Sequence, residues 1–164
     1  MQTPLTEGPS ATAEDPPLHL PQGGVLRQVQ GRISVRSRGQ GLYDVTRDVA
    51  AWVAHQQMTT GLLTVFCRHT SASLIIQENA DPDVQRDLQS FFRRLVREDR
   101  SQYRHTLEGD DDMPAHIRSA LTLVQVSIPV AGGKPAFGTW QGLYLFEHRT
   151  APQERELLLH LLGA

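Results

Sequence analysis

Seven histidines are spread over the 164 residues, and three of them sit in polar, turn-like surroundings rich in acids. His69 falls in Arg68-His69-Thr70-Ser71, His105 in Tyr103-Arg104-His105-Thr106, and His116 two residues after Pro114. Their spacings are 36 and 11 residues, so no local motif holds them together. The chemistry they suggest is metal binding. Neutral imidazole is the commonest nitrogen ligand of zinc and its neighbours, and three protein ligands leave one coordination position open for water or substrate. A carboxylate beside such a centre can be a fourth ligand, orient a histidine or carry a proton. Glu78 and the run Asp110-Asp111-Asp112 supply carboxylates. The bland alternative is a hydrogen-bonded structural histidine, and, for at least two of the three aspartates, a solvated loop capping the helix that follows.

The other candidates are poorer. His19 and His160 lack suitable company, His55 falls on the solvent face of a helix, and His148, between Glu147 and Arg149, reads as an ion-paired strand end. The single Cys67 excludes a disulfide framework and a CxxC zinc site, and inside an apolar run it behaves as a small hydrophobe. Ser71 and Ser73 lie close to His69, but no nucleophile elbow surrounds them, which argues against a hydrolytic triad. Gly138-Thr139-Trp140-Gln141-Gly142 places an indole and an amide between glycines, either as core or interface packing or as the wall of a ligand pocket.

The elements that must position these groups follow from periodicity. Alternation over 25–38 predicts a half-solvated strand, broken at Gly39-Gln40-Gly41. A helix capped by Asp44 or Thr46 runs to about Met58, with Val49, Trp52 and Val53 on one face and Gly61 beyond its end. Residues 62–67 and 73–76 read as buried strands. Asp81-Pro82 opens a second helix with Val84, Leu88, Phe91, Phe92 and Leu95 on a packed face and most of its arginines on a solvated one. A short helix covers 113–122. Residues 123–130 form a strand that turns through 131–135 as a hairpin toward a strand over 139–148, and 154–162 fits either a helix or a strand. The class is α+β, mostly antiparallel, with two or three helices.

Composition bounds the function. Sixteen bases against 18 acids give a net charge of -2, so no basic excess invites nucleic acid. No apolar run approaches the roughly 18 residues of a membrane helix. Residues 1–24 hold five of the ten prolines, three acids and no Lys or Arg, which predicts a disordered N-terminal tail ahead of a single domain over 25–164. They lack the basic start and apolar core of a secretory signal, so the expected location is cytoplasmic. No glycine-rich phosphate loop follows a strand.

Taken in order, His69-Thr70-Ser71-Ala72-Ser73, Glu78-Asn79-Ala80-Asp81-Pro82-Asp83-Val84, Tyr103-Arg104-His105, Glu108 to Ile117, Ser127-Ile128-Pro129-Val130 and Gly138-Thr139-Trp140-Gln141-Gly142 resemble the YjbQ family, also labelled secondary thiamine-phosphate synthase. The resemblance covers about residues 25–164. It implies an α+β subunit, a homotrimer, and a site near the subunit boundaries where His69, His105 and His116 hold a divalent metal. Zinc is the first expectation; Mg or Mn are the others. Glu78 and Asp112 are implied as catalytic carboxylates, with Trp140 and Gln141 in the surrounding shell, and the stretch to Leu162 as a closing strand. The implied activity joins a hydroxymethylpyrimidine diphosphate to a thiazole phosphate. Arg104 and Arg118 would help neutralise the leaving diphosphate. Two alternatives stand beside it: a metal-dependent hydrolase using a water at the histidine site, and a non-catalytic module that binds a small molecule or metal. The expected partners are a small-molecule substrate and two further copies of the chain, with neither nucleic acid nor membrane.

Overall fold

A computed structural model describes residues 25–164; the tail expected over residues 1–24 lies outside the described residues. Eight strands and three helices follow one another as β1 (Arg27–Arg36), β2 (Gly41–Asp44), α1 (Thr46–His55), β3 (Thr60–Cys67), β4 (Ala72–Glu78), α2 (Pro82–Leu95), α3 (Asp112–Ala120), β5 (Gln125–Ala131), β6 (Lys134–Pro135), β7 (Gln141–Glu147) and β8 (Glu154–Gly163). A 3₁₀ turn at Arg100–Gln102 lies between α2 and α3. The strands form two antiparallel sheets, β1-β8-β3-β5-β6 and β2-β7-β4.

Alternation decides what each strand buries. Leu63, Val65 and Cys67 of β3, Val126, Ile128 and Val130 of β5, and Leu157, Leu159 and Leu161 of β8 all turn to one face and form the core with Leu74, Leu143 and Leu145 of the second sheet. The Leu-rich C-terminal stretch pairs with β1 on one side and β3 on the other, which settles the ambiguity in favour of a central strand. Helix α1 buries Val49 and Val53 against this core. Its Trp52 lies over Gly31, where a β-carbon would come within 2.2 Å of the indole nitrogen.

Helix α2 starts as the sequence predicts, with the Asp81 carboxylate accepting from the Asp83 amide and Pro82 in the first turn. Its apolar face is only partly covered. Phe92 meets Phe146 edge-on at 5.4 Å, while Phe91 and Leu95 stay exposed and no residue of the helix is fully buried. The predicted hairpin between 123–130 and 139–148 is corrected: β5 turns onto the two-residue β6, whereas β7 joins the other sheet between β2 and β4. Positive φ at Gly132 and Gly133 makes the tight β5–β6 turn, and Pro135 cannot extend β6 as an inner strand. The short strand β2 carries too few residues for a periodic signal.

Between the sheets lies a buried ion pair. The Glu147 carboxylate, fully buried, accepts from Arg155 Nε at 2.7 Å and Nη2 at 2.6 Å, from the Ser37 hydroxyl at 2.9 Å, and from the His148 and Arg149 amides at 3.1 and 3.0 Å. Arg155 also donates to the Ser71 hydroxyl at 3.0 Å. This network fixes the start of β8 and the end of β7 against the loop that carries His69.

Candidate metal centre

Helix α3 begins at Asp112, and the turn that leads into it supplies the site. His116 lies one helical turn after Asp112, so the two side chains share a face. His105 is brought back onto that face by the loop 103–111. The Asp112 carboxylate is 2% exposed, and its Oδ2 lies 2.7 Å from His105 Nε2 and 3.3 Å from His116 Nε2. Its other oxygen is held by Arg149. Arg149 also donates to Asp111 Oδ2 at 3.1 Å and to the Glu108 carbonyl at 2.7 Å, clamping the loop to the end of β7. Among the described residues this is the one place where three His, Cys, Asp or Glu donors converge, with ligand atoms within 4.8 Å of one another.

The donor set fits a metal for a specific reason. The Thr70 carbonyl lies 3.0 Å from His116 Nδ1, and a carbonyl can only accept, so that nitrogen carries the proton. In the neutral ring the Nε2 lone pair then faces a carboxylate oxygen. Two electron-rich atoms at that separation call for a cation between them, which is a proton or a metal ion. A backbone carbonyl on the remote nitrogen is also the usual device for orienting a histidine ligand. Two imidazoles with one carboxylate suit zinc and its transition-metal neighbours better than Mg, which prefers oxygen ligands.

His69 is not among these donors. Its Nε2 accepts the Glu156 amide at 2.8 Å, and burial, followed by the nearby Arg155 charge, lowers its pKa, so the neutral ring holds the proton on Nδ1. It lines a shallow depression with Thr70, Ser119 and His116, on the wall of the site. Glu78, Trp140 and Gln141 form a separate group. Glu78 pairs with Gln141 at the far end of β4, roughly 20 Å along the strand from the histidines. Trp140 is 65% exposed, so it is not core. Arg104 is exposed beside His105, and Arg118 is buried on the side of α3 turned away from His116.

Two expectations change. Asp111 and Asp112 are buried and fully engaged, so the solvated-loop reading holds only for Asp110, which faces Arg100 at 3.6 Å. Burial by itself would raise Asp111, but the Thr150 amide and hydroxyl and Arg149 outweigh it and hold the carboxyl below its usual range. His148 is not ion-paired; it is buried with Nε2 against the Ser73 hydroxyl at 2.8 Å. Arg149 and the Thr70 carbonyl are the contributors that sequence reasoning missed. An arginine after a strand and a main-chain oxygen carry no signal of their own.

An α+β domain of two antiparallel sheets with a histidine–carboxylate cluster at the start of its third helix defines the class. Residues 31–164 match the family model described as UPF0047 protein YjbQ-like. The chain is 51% identical over 144 residues to a UPF0047 protein of Synechocystis sp., covering 88% of this chain and 98% of that one. It is 38% identical to UPF0047 protein YjbQ of Escherichia coli O157:H7, covering 82% and 97%. The crystal structure of a YbjQ-like protein of unknown function from Sulfolobus solfataricus P2 superposes with a TM-score of 0.78 at 25% identity, over 85% of this chain and 100% of that one. A conserved hypothetical protein from Thermus thermophilus gives 0.71 at 35% identity, over 79% and 97%. The chain belongs to the UPF0047/YjbQ family.

Proposed function

We propose that the protein is a metal-dependent enzyme acting on a small phosphorylated substrate, with His105, His116 and Asp112 holding a divalent transition metal, zinc first. The observation that carries this reading is the convergence of His105, His116 and Asp112, whose ligand atoms lie within 4.8 Å of one another, with the Thr70 carbonyl holding His116 Nδ1. When bound, the cation would supply positive charge to a leaving group or an attacking water. The chain's own residues do the rest. Arg149 and Thr70 fix the donors, His69 shapes the wall, and exposed Arg104 sits beside the opening to draw in an anion.

The reaction proposed first is the coupling of a hydroxymethylpyrimidine diphosphate to a thiazole phosphate. The resemblance supports it, and the leaving diphosphate needs the charge this site would offer. The nitrogen-rich donor set favours a second reading, hydrolysis by a water at the same centre. We also propose that the active form is a homotrimer. The histidine end of β4 and the Glu78–Trp140–Gln141 end lie too far apart to share a substrate within one chain, and neighbouring subunits would bring them together.

The first test is metal analysis of protein purified without a histidine tag. About one transition metal per subunit is expected, falling at least tenfold in His105→Ala and in Asp112→Ala. Metal content unchanged in both variants overturns the site. The second test supplies both thiamine precursors and measures pyrophosphate. Release that survives chelation and His116→Ala would place the activity elsewhere. Phosphoesters and lactones given to the same preparations decide between coupling and hydrolysis.

A further inference from the structure

The groove between α2 and α3 contains charge that the histidine site does not use. Gln40, Arg93, Arg97, Glu98 and Arg118 line an open depression of about 480 Å³. A hollow of about 10 Å³, room for roughly one water, shares Gln40, Arg93 and Arg118 with it and is also lined by Phe146 and His148. Arg118 is 2% exposed. Its Nη1 donates to Glu98 at 3.2 Å and its Nη2 to the Val96 carbonyl at 2.7 Å, but its Nε has no partner. His148, 1% exposed, spends Nε2 on Ser73, and its Nδ1 has no partner either. A buried polar atom left unpaired is costly, and two such atoms on residues that line one hollow point to something that fills it.

The charges indicate what. Three guanidiniums face the groove, and Arg93 and Arg97 are exposed without an ion-pair partner among the described residues. Against them stands Glu98, whose Oε1 accepts from both Gln40 at 2.7 Å and Arg118. The Glu147 carboxylate borders the hollow but is fully engaged by Arg155, Ser37 and two amides. A positive groove with a buried guanidinium at its base suits a dianion whose several oxygens can each accept from a planar donor.

We propose that this groove is a phosphate-binding site for a small phosphorylated molecule, separate from the metal centre. Arg118 and His116 are two residues apart on α3, about 200° around the helix, so the two sites lie on opposite sides of it. The groove stands or falls independently of the metal reading.

Titration of the full chain with inorganic phosphate, followed by calorimetry at fixed ionic strength with acetate as control, tests it. Saturable phosphate binding is expected at one site per subunit, at least tenfold tighter than acetate. Arg93→Gln/Arg97→Gln, whose side chains are exposed, should weaken it at least tenfold without altering the melting temperature or metal content. His116→Ala should leave it unchanged. Absence of saturable binding, equal binding of acetate, full retention in the double variant, or loss in His116→Ala would each overturn the proposal. The last would assign the phosphate to the histidine centre, and the first would leave the hollow to water.

Discussion

His148 is the residue whose chemistry the fold alters most. Burial, followed by the Arg118 and Arg155 charges, pushes its pKa down to about 3 from an ordinary 6.5. The unfolded chain therefore takes up a proton below pH 6.5 that the folded chain refuses. The stabilisation is fully present above the unfolded value and is lost as pH falls toward the folded one, by about 1.4 kcal/mol per pH unit. Thermal melting between pH 6.5 and 5, above the range where carboxylates titrate, should show this slope. His148→Gln should flatten it. An unchanged slope in the variant would assign the acid sensitivity to another group. A similar argument applies to Cys67, whose thiol is raised by burial and accordingly should resist alkylation in the folded state.

Two contacts between elements are open to test. Gly31 of β1 leaves the space that Trp52 of α1 fills, so Gly31→Val should displace the indole and cost about 1–3 kcal/mol. A red shift of Trp52 emission in a Trp140→Phe background would report the displacement; unchanged emission and stability would mean the helix moves instead. The second contact is Glu147 with Arg155, which ties β7 to β8. Arg155→Met leaves a carboxylate buried without its partner and should cost about 3–5 kcal/mol in denaturant unfolding. Replacing both, as Glu147→Leu/Arg155→Met, should cost less than the sum of the single changes, because the unpaired charge is gone. Additive losses would show that the two residues act separately.

For the whole molecule, the outer face of the five-stranded sheet is the informative surface. Leu62 pairs across strands with Leu162, and Phe66 with Leu158, and Leu62, Phe66 and Leu162 are all more than a third exposed. Such a face, with the uncovered Phe91 and Leu95 of α2, fits the proposed trimer. Sedimentation should give three times the chain mass, and Phe66→Glu should reduce it to one. A wild-type mass of a single chain would remove the idea that two ends of β4 from different subunits make one site.

The sequence by itself determined the type of most elements, though not of 154–163 or of the short β2, because strand alternation and the Asp81-Pro82 helix start depend on neighbours in the chain. It also marked His69, His105 and His116, with the carboxylates of Glu78 and residues 110–112, as groups able to gather at a metal, since residue type carries that chemistry. Tertiary structure decided which of these groups meet. Strand partners are chosen by burial on both faces at once, which is why β7 leaves the expected hairpin and why 154–163 becomes a central strand. The same long-range pairing carries Arg149 and the Thr70 carbonyl to the cluster, turns Arg118 to the other side of α3, and holds Glu78 a strand's length away.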